Sequence, residues 1–461
     1  MGLASETLNV QTRKPRIVSV TPLAVARDSR TFKQASSFLR FGYDSVVIEG
    51  NSSDGIIGPR PEFELRCAFP TAPAAMEDPG PSGGTSSSGA SRIELPFRVA
   101  RWVGSLGKHI WFLPSPLRSW LGGILLEDPF RLLADLLYHR DLCRRTCRIM
   151  PQADVYYLHS FLQYPAVRKR CREFGKPFIY DAHDLYWVLA SDGREQKLSD
   201  RIMWSYFRWL ERRCVKAASA CVTVSPGVAE LERQRFGRGF TVVRNAHEGR
   251  LDGNPAAPSM RDRLGLDGAF LLVVVGNAKP GGMAITTAIE ALALLDPDVH
   301  ILFLGSGYEP HIHSAIQLGL GSRVHAPGPV PPTQVAGAIR DADLAPIIYW
   351  AVTSNFYYCL PNGFFHVVAG SIPVLYPELP EISELVRRYD FGISFDPTSA
   401  LSFAGAVNEF RHSDGLSRRL RANACAAAED LKWQNEEGVL QGVVDPLLPR
   451  ALRRRVVASA A

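Results

Sequence analysis

The sequence predicts an α/β protein: two doubly wound, parallel-sheet domains facing a central cleft. Three observations carry this expectation. Short, largely apolar runs such as Phe270–Val275 and Val299–Leu304 alternate with segments of helical periodicity, the pattern of strands covered on both faces by crossover helices. The alternation runs through the chain twice, in halves of similar size. Glycine-rich or polar turns close the carboxyl ends of the strands, where open α/β sheets bind ligands. With 461 residues the chain exceeds one typical domain and can bury large cores.

Arg16–Thr21 reads as the first strand. Residues 28–41 follow as a helix, with Phe32, Ala35, Phe38 and Leu39 on one face and Gly42 as its stop. A strand at 45–49 completes a βαβ opening, which favours a parallel sheet. The loop at 22–27 has no G-x-G-x-x-G pattern and so argues against a dinucleotide site there. Residues 51–92 are dominated by Pro, Gly and Ser and read as a mobile insertion, too poor in apolar surface to order itself. Residues 95–126 mix Trp102, Trp111, Phe112 and Trp120 with arginines, and Pro114 and Pro116 break any long helix. That mixture suits a membrane surface, or packing against the parent domain or a partner subunit.

The first half continues with a helix at 128–150, a strand at 154–158 ending at His159, and a helix at 165–174. A strand at 177–180 runs into Asp181-Ala182-His183-Asp184. Helix Leu198–Ala217, a strand at 220–224, helix Pro226–Phe236 and a strand at 240–243 close this half at Arg244-Asn245-Ala246. The expected division is 1–247 as the first domain, with 51–126 as its insertion, and 248–268 as a polar linker. The second domain is 269–436, and 437–461 is a tail.

In the second half, Phe270–Val275 ends in Gly276-Asn277-Ala278-Lys279-Pro280-Gly281-Gly282, and Val299–Leu304 ends in Gly305-Ser306-Gly307. Helices are expected at 285–295, 311–318 and 331–340, and strands at 324–325 and 344–348. Within 354–384, Pro361 and Asn362 open a helix, 372–376 is a buried strand, and Pro380 opens a second helix. A ligand at the carboxyl end of that strand would meet two helix N-termini and their free N–H groups. A strand at 392–395 and two C-terminal helices finish the chain.

Composition narrows the function classes. At 46% apolar and 21% charged residues, the chain is that of an ordinary globular protein. The net charge of +6 is mild, and no nucleic-acid-reading motif is present. Arginine clusters at 168–172, 212–216 and 450–455 suit either a solvated helix face or an anionic surface. The eight cysteines form no paired metal-binding spacing, which points to reduced, mostly buried thiols in a cytosolic protein. No secretory signal is expected from the N-terminus, and no run of about 18 apolar residues predicts a membrane span.

Across roughly 16–411 the order of local signatures resembles the family 4 retaining glycosyltransferases. The carrying pieces include His159-Ser160-Phe161, Asp181-Ala182-His183-Asp184, Val224-Ser225-Pro226, Arg244-Asn245-Ala246, Leu304-Gly305-Ser306-Gly307, Pro327-Gly328-Pro329-Val330 and Pro361-Asn362-Gly363-Phe364-Phe365. The resemblance implies the GT-B fold, with two Rossmann-like domains, the first binding the acceptor and the second a UDP- or GDP-linked sugar. It implies a retaining, metal-independent transfer of a hexose-type sugar to a polysaccharide or lipid-linked acceptor, with no cofactor and no nucleic-acid partner. The protein would then be cytoplasmic, with peripheral contact at the inner membrane face through 95–126.

The resemblance also implies roles. His159, His183 and Lys279 are the catalytic candidates. Gly276, Asn277, Lys279, Gly307, Val330, Asn355, Asn362, Phe365, His366 and Glu381 would hold the donor, and Arg30 and Asp184 the acceptor. Without a metal, the leaving diphosphate needs a cation and helix N-termini, and Lys279 beside its glycine turn is the best-placed cation. Asp181 and Asp184 could raise the pKa of His183. The departures are specific. Asn277 stands where the family has Arg, Gly363 where it has Lys, and Tyr358 and His366 where it has two glutamates with seven residues between them. The second glutamate accepts from the ribose hydroxyls, whereas a neutral His366 offers one acceptor nitrogen. Two competing readings follow: a catalytically weak domain serving as a binding partner in polysaccharide assembly, and a sugar-nucleotide epimerase.

Overall fold

A computed structural model describes residues 13–54, 61–70, 128–189, 198–248, 258–279 and 281–452. The first half is one seven-stranded parallel sheet, ordered β3-β2-β1-β4-β5-β6-β7. Its strands are β1 (Arg16–Thr21), β2 (Asp44–Asn51), β3 (Glu64–Phe69), β4 (Val155–Leu158), β5 (Phe178–Ala182), β6 (Ala220–Thr223) and β7 (Thr241–Val242). The order reverses between β1 and β4, where Val18 lies opposite Tyr156 and Val20 opposite Leu158. That switch point opens the crevice in which doubly wound sheets bind ligands.

The second half has two three-stranded parallel sheets. One is β10-β9-β8, with β8 (Phe270–Val275), β9 (Val299–Leu304) and β10 (Val324–His325); the other is β11-β12-β13, with β11 (Ala345–Pro346), β12 (Val374–Tyr376) and β13 (Gly392–Ser394). A parallel bridge between Leu272 and Leu344 joins them, and the Val273 N–H donates to the Leu344 carbonyl at 3.0 Å. Strands β8 and β9 are buried almost throughout, as largely apolar hexamers require when helices cover both faces.

Local chemistry sets the helix ends that matter here. Asp28 caps helix Ser29–Arg40 by accepting from the Thr31 N–H. Ser225 caps Pro226–Phe236, with Pro226 at the first turn and Gly237 in the left-handed conformation at its end. Among the described residues no helix is long and apolar enough to cross a membrane. All eight cysteines are free, but only Cys214 and Cys221 are buried; the other six are half-buried.

Several expectations need correction. Within the expected insertion, Glu64–Phe69 is an ordered edge strand, paired in parallel with β2 from Val46–Glu64 to Asn51–Phe69. Phe63 is buried against Phe32, with ring centroids 5.4 Å apart. Its six residues were swamped by the Pro/Gly/Ser composition around them. The expectations for 55–60 and 71–127, including the aromatic and basic segment, lie outside the described residues. Part of the expected linker is helix Met260–Leu264, closed by a capping box between Ser259 and Asp262 and packed on the second half through buried Met260.

The C-terminus carries three helices rather than two: Ala400–Arg411, Asp414–Asp430 and Trp433–Val444. The expected tail is therefore structured as far as residue 452. Helix Trp433–Val444 returns to the first half. Trp433 is fully buried and its indole N–H donates to Ser37 Oγ at 2.8 Å, while the Glu436 carboxylate accepts from the Arg244 N–H at 2.9 Å.

Candidate active site

A cleft of about 490 Å³ lies between the carboxyl ends of the two sheets and is lined from both halves. Its C-terminal wall starts with the turn after β8. Gly276 has φ 124°. A side chain on Gly305 would bring a Cβ to 2.1 Å from the Gly276 carbonyl oxygen, so two glycines let the turns touch. Tyr308 donates to that carbonyl at 2.7 Å, and Asn277 Oδ1 accepts from the Ser306 N–H at 3.0 Å. Asn277 thus braces the two turns. Lys279 faces the cleft with its ammonium 5.5 Å from the Tyr349 ring centre and 5.7 Å from that of Phe356, two π faces that orient a cation.

Helix Asn362–Ala369 brings its N-terminus to the same wall. It can approach because Gly363 sits on the end of β8, where a Cβ would lie 2.1 Å from the Val275 carbonyl oxygen. His366 lies one turn further on and also lines the cleft. Burial, then the neighbouring His247 and Lys33, push His366 down to about 3, so its ring is neutral near pH 7. Among the described residues its Nδ1 is buried without a hydrogen-bond partner, as is Asn245 Oδ1 on the facing wall.

The N-terminal wall is held by a buried ionic cluster. Arg30 makes a bidentate pair with Asp181, Nε to Oδ2 at 3.0 Å and Nη2 to Oδ1 at 2.9 Å, and its Nη1 donates to the Val243 carbonyl at 2.7 Å. Gln34 and Tyr157 also donate to Asp181 Oδ2, at 2.8 and 3.2 Å. Burial opposes ionisation of Asp181, yet Arg30 and the two histidines hold it well below the usual carboxylate range. Burial likewise opposes ionisation of Asp28, but His183, His159 and the Thr31 hydrogen bonds keep it low. His159 is wholly buried and held neutral, pushed to about 3 by burial and then by His183. Its Nδ1 lies 3.2 Å from His183 Nε2. His159, Asp181 and His183 bring ligand-type atoms within 4.8 Å of one another. Asp181 Oδ2 already accepts three hydrogen bonds, one of them from a paired guanidinium, which is poor preparation for a metal cation.

The halves touch directly around the cleft. Asn355 accepts from the Leu185 N–H at 2.9 Å and donates to Asp184 at 3.1 Å. Ser225 donates to the Tyr358 carbonyl at 2.9 Å, and Asn245 bonds Asn362. The Gly227 N–H donates to Glu381 at 2.6 Å. Gly227 must lack a side chain, because a Cβ would meet the Tyr358 ring at 1.9 Å.

Two comparisons with known proteins bear on this arrangement. Residues 101–247, about a third of the chain, match the family model described as Glycosyltransferase Family 4. Sucrose-phosphate synthase from Thermosynechococcus elongatus superposes with a TM-score of 0.61 at 14% identity, covering 94% of this chain and 99% of that one. Anabaena Alr3699/HepE, in a structure described as a complex with UDP and glucose, gives 0.60 at 16% identity over 94% and 100%. WaaG, described as a glycosyltransferase involved in lipopolysaccharide biosynthesis, gives 0.57 at 13% over 92% and 98%. The fold is GT-B. No curated protein matches the sequence.

The GT-B cleft gathers many of the residues singled out in the sequence. His183, Asp184, Gly276, Asn277, Lys279, Val330, Asn355, Asn362 and His366 all line it. Arg30 lines it too, but its guanidinium is committed to Asp181 and Val243. Four residues are elsewhere. His159 lies beneath His183, and Phe365 is buried against Phe364, 5.4 Å between ring centres. Gly307, at φ 86°, shapes the turn against Ala278. Glu381 is turned to Gly227, so the second helix N-terminus, at Pro380, does not face the cleft. Sequence reasoning missed Asp28, Tyr349 and Tyr358 as lining residues. Asp28 was findable as a helix cap just after β1; Tyr349 follows β11 in the same way.

Proposed function

We propose that this protein is a glycosyltransferase that moves a hexose-type sugar from a UDP- or GDP-linked donor to a hydroxyl of a saccharide or lipid-linked acceptor, with retention and without a metal. One observation carries the reading. A single wall of the cleft combines the Lys279 cation, the N-terminus of helix Asn362–Ala369 and the glycine-paired turn at Gly276 and Gly305. Charge building on a leaving diphosphate would be met there by Lys279 and free backbone N–H groups. HepE, which shares the fold, is described in complex with UDP and with UDP-glucose.

Calorimetry with UDP, GDP and their sugars tests this reading. One nucleoside diphosphate is expected to bind, and His366→Glu is expected to tighten binding about tenfold, since a carboxylate can accept from both ribose hydroxyls. Burial at this position would oppose ionisation of that carboxylate, and Lys33 and His247, which face the present neutral ring, would act against it. Failure of every nucleotide to bind would sink the enzyme reading and leave the binding-partner one. Weaker binding by the variant would mean that His366 is itself an adapted ligand.

Contact with the cytoplasmic face of an anionic membrane belongs to the same proposal. Helices Asp128–Ile149 and Leu198–Ala217 lie side by side, tied by Arg131 and Asp200 at 3.3 Å. They expose Leu133, Leu137, Ile202 and Trp209 among Arg140, Arg144, Arg201 and Arg212, the mixture that suits an acidic lipid surface. In flotation with phosphatidylglycerol vesicles, Ile202→Glu combined with Trp209→Glu should cut the recovered fraction several-fold. Equal recovery of variant and wild type would remove the case for this face.

A further inference from the structure

We propose that His159 is a positioning residue for His183: its Nδ1–H donates to His183 Nε2, so that His183 presents Nδ1–H to an oxygen of the molecule bound in the cleft. That the molecule is a nucleotide sugar rests on the function proposed above; the tautomer itself does not. Adjacent parallel strands create the pair. His159 directly follows β4 and His183 directly follows β5, which pair through Leu158 and Tyr180. The rings meet nearly edge-on, at 72°, with His159 Nδ1 3.2 Å from His183 Nε2. Only one proton fits between these two nitrogens.

Asp181 does not decide which ring holds that proton. Its Oδ2 is 3.9 Å from His159 Nδ1 and 3.8 Å from His183 Nε2, and it already accepts from Arg30, Gln34 and Tyr157. The far side of His159 decides. Its Nε2 is buried with no hydrogen-bond partner among the described residues. Were the shared proton on His183, a neutral His159 would carry its own proton on Nε2, as an orphaned buried donor. Buried N–H groups without acceptors are the rarest kind of unsatisfied polar group. The proton therefore belongs on His159 Nδ1, and His159 Nε2 is left bare. His183 Nε2 then accepts, and a neutral His183 carries its proton on Nδ1. The His183 side chain is 18% exposed and lines the cleft, whereas that of His159 is 0% exposed. The buried histidine sets the state, and the half-buried one meets the ligand. Other charged groups around the pair are Asp28 and Arg30 from the β1 side and Asp184 from the loop after β5.

Histidine ¹⁵N spectra of the full chain, recorded at about pH 8 and assigned with His183→Gln, test this directly. Wild-type His183 is expected as the Nδ1–H tautomer. His159→Phe removes the donor and should shift His183 to Nε2–H, while His159→Gln, whose amide still donates, should keep Nδ1–H. Wild-type His183 found as Nε2–H, or left unshifted by His159→Phe, would overturn the proposal. If His159→Phe does not fold, the wild-type tautomer and the His159→Gln spectrum decide between the same outcomes. Nucleotide titrations of the same samples separate the two readings, because loss of all nucleotide binding would sink the glycosyltransferase assignment and leave the tautomer result standing.

Discussion

Replacing Arg30 with alanine is expected to cost about 3–5 kcal/mol of folding stability, the usual penalty for stranding one partner of a buried ion pair. Both side chains are almost wholly buried, 2% exposed for Arg30 and 0% for Asp181. Loss of the guanidinium removes two hydrogen bonds from Asp181 and one from the Val243 carbonyl, leaving a carboxylate in an apolar setting with only neutral donors. It also removes one of the ties between helix Ser29–Arg40 and the segment after β7, leaving those from Lys33 to the Asn245 and Ala246 carbonyls. The double variant Arg30→Met, Asp181→Leu should recover much of the loss, since no charge is then left unpaired. Urea unfolding of the wild type and the two variants measures this. Unchanged stability in Arg30→Ala, with weakened acceptor binding, would return Arg30 to the acceptor role that its position in the sequence suggested.

The second large effect is alkaline. Behind the first sheet, Glu211 and Glu232 are buried together, at 1% and 0% exposure. Tyr180 donates to Glu211 at 3.1 Å, while the Trp187 indole only approaches Glu232 without a well-formed bond. Burial lifts Glu211 to about 7; burial and then repulsion from Glu211 lift Glu232 to about 9, against Arg235. In the unfolded chain both would titrate near the ordinary glutamate value. Between that value and the folded one the native state holds more protons, so stability falls as pH rises. Their contribution is fully present below the ordinary value and is lost through about 7 and then about 9. The free energy of unfolding should drop by on the order of 3 kcal/mol between about pH 6 and 9, and Glu232→Gln should flatten most of that slope. Urea midpoints across this range decide it, and a wild-type profile that does not fall would refute the assignment. His159 and His366, both held to about 3, act in the opposite sense. Their depressed values give stability above the ordinary histidine range that is lost as pH falls. Stability should therefore peak on the acid side of neutrality, between about pH 5 and 6.

Much of the fold was legible because burial on both faces leaves a strong one-dimensional trace. Phe270–Val275 and Val299–Leu304 were readable to the residue, since a largely apolar hexamer running into a glycine turn has few other uses. What escaped were elements whose identity depends on a neighbour. Glu64–Phe69 is a strand because β2 supplies its hydrogen bonds, and Trp433–Val444 belongs against the first half because Ser37 accepts from Trp433.

The candidate site divides in the same way. Residue type and chain order alone determined two parallel-sheet halves, the glycine turns at Gly276 and Gly305, and the cleft between strand ends in which His183, Lys279 and His366 lie. These follow from periodicity, backbone freedom and topology, all written along the chain. Only the tertiary structure decided what each polar group is free to do. Arg30 is spent on Asp181, Glu381 on Gly227 and Asn355 on Asp184 and Leu185, while His159 is sealed beneath His183. The physical reason is that a side chain's chemistry depends on which partners reach it within hydrogen-bond distance and how much water remains, and those partners lie 24 to 171 residues away in sequence.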